Sequence, residues 1–412
     1  VESRSTLVTV YDYGSLSPYR IAEIADALQL RVAFVVPDTA HTRSARSLLE
    51  SVGVVIPTAG RSPAELIRAC RALRPAGVVT FSEPQLRLTA ELADALGCAF
   101  HAPSDIDAIV RKDRQRERFA AAGLEAIRFR VVERLDQIDE AIAHVGLPAV
   151  IKPTYGAASR NTIAVSDEKD CRQTLEFLLN DGQERTLLLE ELLVGRHTDH
   201  PWGDFIAVDC VAAGDRVEPR FVTSKFAAAE PFRDRGGYAT ASVVPEPDLA
   251  HVRDLAGRAV RALNIRTGLA DVEIKLTPTG PRLIEVNGRL GGTVDDLAVR
   301  SGNPSPAEIA IRSALGLPID AGTPPPGPIA FHYHLIPPLA ARAVADVRAP
   351  LRVKRLPHVE RLIVHARRGD PVDWRAGTES RVASVIGTTG THAELADVVA
   401  AIESVPWIDY EF

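Results

Sequence analysis

The first hundred residues alternate short β-branched runs with stretches in which apolar positions recur every three to four residues. That alternation predicts strands over Leu7–Tyr11, Arg31–Val36, Val54–Pro57 and Gly77–Phe81. Between them it predicts helices over Pro18–Leu28, Ser44–Val52, Pro63–Leu73 and Gln85–Leu96. Strands separated by helices of this length imply a small parallel α/β sheet. The turn Tyr13-Gly14-Ser15 lacks GxGxxG spacing, so no dinucleotide site is expected there.

The pattern then becomes mixed. Residues 106–122 read as one charged helix, Ile127–Val132 as a strand and Leu135–His144 as a helix. Ala149–Lys152 and Thr162–Val165 read as strands around a small-residue loop, Pro153–Asn161. Asp167–Leu179 follows as a helix and Thr186–Leu192 as an apolar strand ending in paired glutamates. Phe205–Ala212 and Arg220–Lys225 alternate as strands, and Leu249–Leu263 is an amphipathic helix. Leu269–Leu276 and Arg282–Asn287, joined at Thr279-Gly280-Pro281, predict a β-hairpin, with Pro306–Leu315 a helix beyond it. The proline run in 322–327 predicts a boundary. The remainder is mostly β, with runs at Ala330–Leu335, Arg361–Ala366 and Arg381–Gly387 and a last helix near Thr391–Ile402.

Composition narrows the class. A chain of 412 residues is long for one core, so two or three domains are expected. A net charge of -6 gives no reason to expect nucleic acid, and no apolar stretch has the length of a membrane span. The four cysteines are scattered with no CxxC pair, which argues against a zinc knuckle or a disulfide framework. No basic-then-apolar export segment opens the sequence, so the cytoplasm is the expected compartment. A homodimer is the default expectation for assembly. Lysine occurs only at Lys112, Lys152, Lys169, Lys225, Lys275 and Lys354, arginine supplying the rest of the 48 basic residues. A compact charge on a flexible stem suits a phosphate, so the rare lysines mark positions of interest.

Three segments carry candidate chemistry. In the hairpin, Asp271, Glu273 and Lys275 share one face by period two, and Glu285, Asn287 and Arg289 share a face of the partner strand, with Leu283 a core residue if that strand stays regular. Two carboxylates and an amide oxygen suit Mg²⁺, although a solvated, salt-bridged hairpin has the same pattern. The segment Lys152-Pro-Thr-Tyr-Gly-Ala-Ala-Ser-Arg160 delivers a lysine from a strand into a loop where Gly156 and Ser159 allow close backbone approach to phosphate oxygens. It is not a Walker A loop, and an ordinary turn would read alike. The strand end Glu190-Glu191-Leu192 can present backbone groups and a carboxylate to a purine, as many strand ends could. His332 and His334 stand two apart on a predicted strand, a spacing more typical of packing histidines than of ligands.

The order of these segments closely resembles the ATP-grasp superfamily over about residues 105–320. It runs Lys112, Lys152 with its loop, Glu190-Glu191, Lys225, Glu273, then Glu285-Val-Asn287-Gly-Arg289. Within that superfamily the chain looks most like the amino-acid and peptide ligases of dipeptide and peptide natural-product (antibiotic) biosynthesis. The phrase Leu283-Ile-Glu-Val-Asn-Gly-Arg-Leu-Gly-Gly292 is the most specific match, supported by Thr223-Ser-Lys-Phe226 and Pro231-Phe232. The resemblance implies an α/β (α+β) ATP-grasp fold. Its parts would be a Rossmann-like parallel domain over 1–104, a central and lid region over 105–195, a catalytic subdomain over 196–321 and a small β-rich region over 328–412.

It also implies roles. Lys112, Lys152 and Lys225 would serve ATP, with the loop at Gly156 and Ser159 closing over the β- and γ-phosphates. Glu190, Glu191 and Leu192 would hold adenine. Glu273, Glu285 and Asn287 would bind two Mg²⁺ ions, with Mn²⁺ as a substitute. Arg289 would contact the transferring phosphoryl group and the substrate carboxylate. Gly291 and Gly292 would leave room for the substrate head group, and Asp234 would hold the substrate amine. The chain departs from the family at several of these points. The phosphate loop is poor in glycine, the ribose-binding acid is not assignable, and Asp271 stands where such ligases commonly carry histidine. Arg233 and Arg235 are available for a substrate carboxylate or for a solvated basic loop. The expected reaction is ligation of an amino-acid or peptide carboxylate to an amine through an acyl phosphate, releasing ADP and phosphate. The alternatives are another ATP-grasp reaction, such as a purine-pathway step, or ATP binding without turnover.

Overall fold

The computed structural model describes residues 4–124, 126–239, 243–319, 327–348 and 350–412. The proline run at 322–326 lies outside the described residues.

The N-terminal region is a parallel sheet of β1 (Thr6–Val10), β2 (Arg31–Val36), β3 (Val54–Pro57) and β4 (Pro75–Val79), in the order β3-β2-β1-β4. β1 is buried along its whole length, which is why it reads as a continuous apolar run. The flanking helices start where local chemistry favours it. Ser17 caps Pro18–Ala27 with proline in its first turn, and Ser62 and Glu65 form a capping box on Pro63–Ala72. Gly97 ends Leu86–Leu96 at φ 70°, a left-handed position that glycine takes without strain.

A second, antiparallel sheet contains β5 (Phe129–Val132), β6 (Ala149–Pro153), β7 (Ile163–Val165) and β8 (Leu187–Glu191), in the order β5-β8-β6-β7. Helices Ile138–Val145 and Glu168–Asn180 bury Ile138, Ile142, Val145, Leu175 and Leu178 in a core shared with this sheet. The helix expected over 106–122 is broken. Ile106–Val110 and Lys112–Ala121 are separate helices, because Arg111 is extended at φ -103°, ψ 120°. The Lys112 amide then donates to Thr154 O at 2.9 Å, a contact that a continuous helix would forgo.

The remaining strands are β9 (Trp202–Ala213), β10 (Arg216–Phe226), β11 (Gly236–Ala239), β12 (Thr267–Thr277), β13 (Gly280–Asn287), β14 (Ile329–Leu335), β15 (Ala343–Val347), β16 (Val359–Val364), β17 (Ala383–Thr389) and β18 (Ile408–Glu411). Eight of them form one sheet in the order β13-β12-β9-β10-β11-β14-β17-β16, while β15 pairs with β18. The segment after residue 327 therefore does not build all its β structure apart, since β14 pairs along β11 and extends the sheet that carries the hairpin. Helix Glu246–Ala262 covers one face of this sheet with Leu249, Val252, Ala256, Ala259 and Val260, against Ile206, Val208, Val272 and Ile274. Each large aliphatic side chain buried there contributes roughly 1.5–3 kcal/mol. The opposite face is mixed: Asp209, Asp271 and Glu273 stand beside Val211, Phe221 and Leu269, which join a second buried cluster.

Candidate active site

The acidic hairpin places its side chains by register. Glu273 pairs with Glu285 and Asp271 with Asn287, but Ile274 pairs with Leu283, so Ile284 is an extra residue. This bulge corrects the expected geometry. Leu283 and Glu285 would share a face of a regular strand. The extra residue turns Leu283 into the core, where it is fully buried, and leaves Glu285 opposite Glu273 on the mixed face. Gln115 pins the bulged strand, its side chain accepting from the Val286 amide at 2.9 Å and donating to Val286 O at 2.6 Å.

Two lysines converge on this pair. Lys112, at the start of the second half of the broken helix, reaches Glu285 Oε2 at 2.9 Å and Gly156 O at 2.7 Å. Lys152, on β6, is ion-paired with Glu190, and Arg116 grips the same carboxylate at 3.0 and 3.2 Å. Burial would raise the Glu190 carboxyl, but Arg116 and Lys152 overrule it and hold it at about 2. Its carboxylate anchors Lys152 and Arg116. Burial, facing Glu285 and nearby Asp271 push the Glu273 carboxyl up to about 8. Burial also raises Glu285, but Lys112 and Lys152 more than offset it and keep that carboxyl below its ordinary value.

These residues line one open cleft, whose empty space including its mouth is about 940 Å³. Lys112, Lys152, Gly156, Ser159, Glu190, Glu191, Leu192, Glu273 and Glu285 all border it. Its apolar walls are Val150, Leu192, Leu193, Phe205, Phe232 and Ile284, suited to a planar ring, and Lys275 pairs with Asp204 at 2.7 Å on its rim. The 156–161 loop has positive φ at Gly156 (148°), Ala158 (59°), Ser159 (56°) and Asn161 (50°). Three non-glycine residues in that region make a strained turn of the kind found where backbone amides are presented to a ligand.

The other expected residues lie next to the hairpin, beyond the lining of that cleft. Arg289 sits between Glu83 Oε2 at 3.3 Å and Asp271 Oδ2 at 3.0 Å. Lys225 pairs with Asp234 Oδ2 at 2.8 Å, and Asp234 Oδ1 accepts from the Gly236 amide. The Gly291 amide donates to Asp209 Oδ1 at 2.8 Å, and a Cβ at Gly291 would press on that carboxylate at 3.0 Å, whereas one at Gly292 would enter open space. Arg233 is buried and donates to Glu230 O and Pro337 O, while Arg235 serves Tyr333 and Glu403. Arg233 is thus held within the fold, while Arg235 stays partly exposed. His332 pairs with Asp296 at 2.6 Å, and His334 and His365 both bond Ser384.

Sequence reasoning missed Glu83, Arg116 and Asp209 in these roles. Glu83 follows β4, at the carboxyl end of a parallel strand where α/β sheets place ligand groups, and that position was the available signal. Burial pushes its carboxyl up to about 7, although Arg289 and Lys112 pull it down. Asp209 pairs in register with Asp271, and burial and Asp271 raise its carboxyl well above the usual range.

The donor set fits a hard dication. Glu273 and Glu285 face each other at low solvent exposure, and the raised Glu273 carboxyl shows one negative charge in want of compensation. Among the described residues no three Asp, Glu, His or Cys side chains form a complete metal cage. Two carboxylates and the Asn287 amide oxygen leave positions for phosphate oxygens, as Mg²⁺ sites of nucleotide enzymes do.

The fold and this cleft together define an ATP-grasp architecture. Residues 145–295 match the model of the ATP-grasp domain. The chain is 30% identical over 250 residues to carnosine synthase 1 of Mus musculus, an alignment covering 56% of this chain and 29% of that protein. The chain spans 29% to 40% of the length of the first curated relatives it matches. Its fold is similar to that of L-amino acid ligase from Bacillus licheniformis, with a TM-score of 0.80 at 20% identity and 100% of both chains covered. It is also similar to carboxyaminoimidazole ribonucleotide synthase from Aspergillus clavatus, with a TM-score of 0.74 at 18% identity over 97% of this chain and 99% of that one. At such identities the likeness is one of fold.

Proposed function

We propose that the chain is an ATP-dependent carboxylate–amine ligase acting on amino acids or short peptides. It would activate the carboxylate as an acyl phosphate, pass the acyl group to an amine and release ADP and phosphate. The observation that carries this reading is the Glu273–Glu285 pair facing two lysines in one cleft, with Arg289 at the end of the same hairpin. Similarity to carnosine synthase 1 and to L-amino acid ligase supports amino acids and peptides as the substrate class.

Glu273, Glu285 and Asn287 would hold Mg²⁺, which when bound neutralises phosphate charge. The chain's own groups do the remaining work. Lys112 and Lys152 bring positive charge to the β- and γ-phosphates, where charge develops during transfer. The 156–161 loop offers backbone amides and the Ser159 hydroxyl and excludes water from a hydrolysable intermediate. Arg289, fixed between Glu83 and Asp271, orients the substrate carboxylate and stabilises oxyanion charge when the amine attacks. Asp234, paired with Lys225 at 2.8 Å, would hold the incoming amine.

The test is ATP-dependent turnover over a matrix of amino acids and short peptides, following nucleotide products and product mass. ADP, phosphate and a new amide mass support the proposal. AMP and pyrophosphate, or a carboxylated aminoimidazole ribonucleotide as the only product formed, contradict it.

A further inference from the structure

The turn Trp374–Ser380, far along the chain from any motif of the cleft, touches both halves of the site. On one side it holds the 156–161 loop. The Asn161 amide donates to Arg375 O at 2.9 Å, and the Thr378 amide donates to Ala158 O at 2.9 Å. Gly377 allows this approach. It sits at φ 64°, ψ -134°, and a Cβ there would lie 2.0 Å from Ala158 O. On the other side the same turn holds the Asp234 loop, because the Asp234 amide donates to Thr378 Oγ1 at 2.9 Å. Just beyond, Tyr13 of the N-terminal region donates to Glu379 at 2.6 Å and accepts from Arg381 at 2.9 Å.

Thr378 therefore uses its backbone N–H for one loop and its hydroxyl for the other. The strained backbone at Ala158, Ser159 and Asn161 needs outside support to persist, and these contacts supply it. We propose that Trp374–Ser380 is a positioning strap in which Thr378 couples closure of the phosphate loop on nucleotide to placement of the Asp234 loop for the amine. This rests on the nucleotide reading of the cleft. It adds that the amine side is set only when the nucleotide side is closed, which protects the activated carboxylate from water until an acceptor is in place.

The test is amide hydrogen exchange with and without MgAMP-PNP in the wild type and in Thr378→Val, Thr378→Ser and Gly377→Ala. In the wild type, nucleotide should slow exchange across 156–161 and also at the Asp234 and Gly236 amides. Thr378→Val keeps the N–H to Ala158 but loses the hydroxyl. It should speed exchange at Asp234 about tenfold and abolish the nucleotide effect there, while 156–161 still responds. Thr378→Ser should behave as wild type. Gly377→Ala should break the link from the phosphate-loop side. A Thr378→Val protein that still protects Asp234 on nucleotide binding, or a Thr378→Ser protein that does not, would overturn the strap alone. Failure of AMP-PNP to bind the wild type would overturn the nucleotide reading and the strap with it.

Discussion

The two sides of the cleft are built by opposite means. The acidic hairpin is regular sheet, and its chemistry follows from strand register plus one bulge. The 156–161 loop has no ladder of its own. It stands in left-handed backbone, reached through Lys112 from one direction and held by residues 375–378 from the other. A sheet fixes side chains by local geometry, so its function is encoded within the hairpin. A loop of this kind is fixed by remote contacts, so its function is distributed over the chain. The hairpin is accordingly expected to be intolerant of changes to single side chains, and the loop of changes to its supports.

The largest expected effect tests the hairpin. Glu285→Gln should lower kcat by at least about a thousandfold, as loss of charge-stabilising groups does, while thermal unfolding stays close to wild type. Activity within tenfold of wild type would remove the carboxylate pair from the chemistry. Next, Glu190→Gln should destabilise by roughly 3–5 kcal/mol, because Lys152 and Arg116 are left as buried cations without their partner. Denaturant titration measures this, and a loss below about 1 kcal/mol would mean that the pair is relaxed by solvent.

Leu283→Ala should cost about 2–5 kcal/mol with little change in kcat per folded molecule. Set beside Glu285→Gln, it separates core from chemistry at positions two residues apart, as only a bulged strand allows. The pH dependence follows from Glu190. Its folded carboxyl titrates at about 2, below an unfolded glutamate near 4.3, so its contribution is complete above that unfolded value and lost as pH falls toward 2. The expected loss is about 3 kcal/mol at most, and Glu190→Gln should flatten that part of the stability–pH curve. The smallest effect is on the loop itself. Ala158→Gly relieves a left-handed alanine at φ 59° but frees the unfolded chain, so stability should change by less than about 1 kcal/mol. Hydrogen exchange would show whether the loop loosens when only its strain is removed.

Much of the scaffold was legible. The predicted Arg31–Val36 and Val54–Pro57 strands coincide with β2 and β3: β2 is buried from Val32 to Val36 and reads as an apolar run, while the edge strand β3 is marked by β-branched residues between Gly53 and Pro57. Period two correctly placed Glu273 on one face of β12 and Ile274, in the core, on the other. The break at Arg111 was not legible, because helical periodicity continues through it, while the Lys112 amide turns to Thr154 O and the Gln115 side chain donates to Ile109 O. β11 was hidden for another reason. Gly236 and Gly237 look like loop, yet the neighbouring strands approach them so closely that a Cβ would collide with His332 O or Ser224 O, so glycine is what the strand requires there. Arg116, Asp209 and Thr378 carry no local pattern at all. Each is a single residue brought to the site by the fold, and single polar residues cannot be told from surface ones before the partners are known.

The most direct test of the central claim is the fate of oxygen during turnover. With the substrate pair identified by the panel, the carboxylate is labelled with ¹⁸O and the released phosphate is analysed by mass. Attack of that carboxylate on the γ-phosphorus, followed by attack of the amine on the carbonyl carbon, predicts one labelled oxygen in each phosphate released. Unlabelled phosphate, with the label retained in the amide or carried into AMP, would contradict the account.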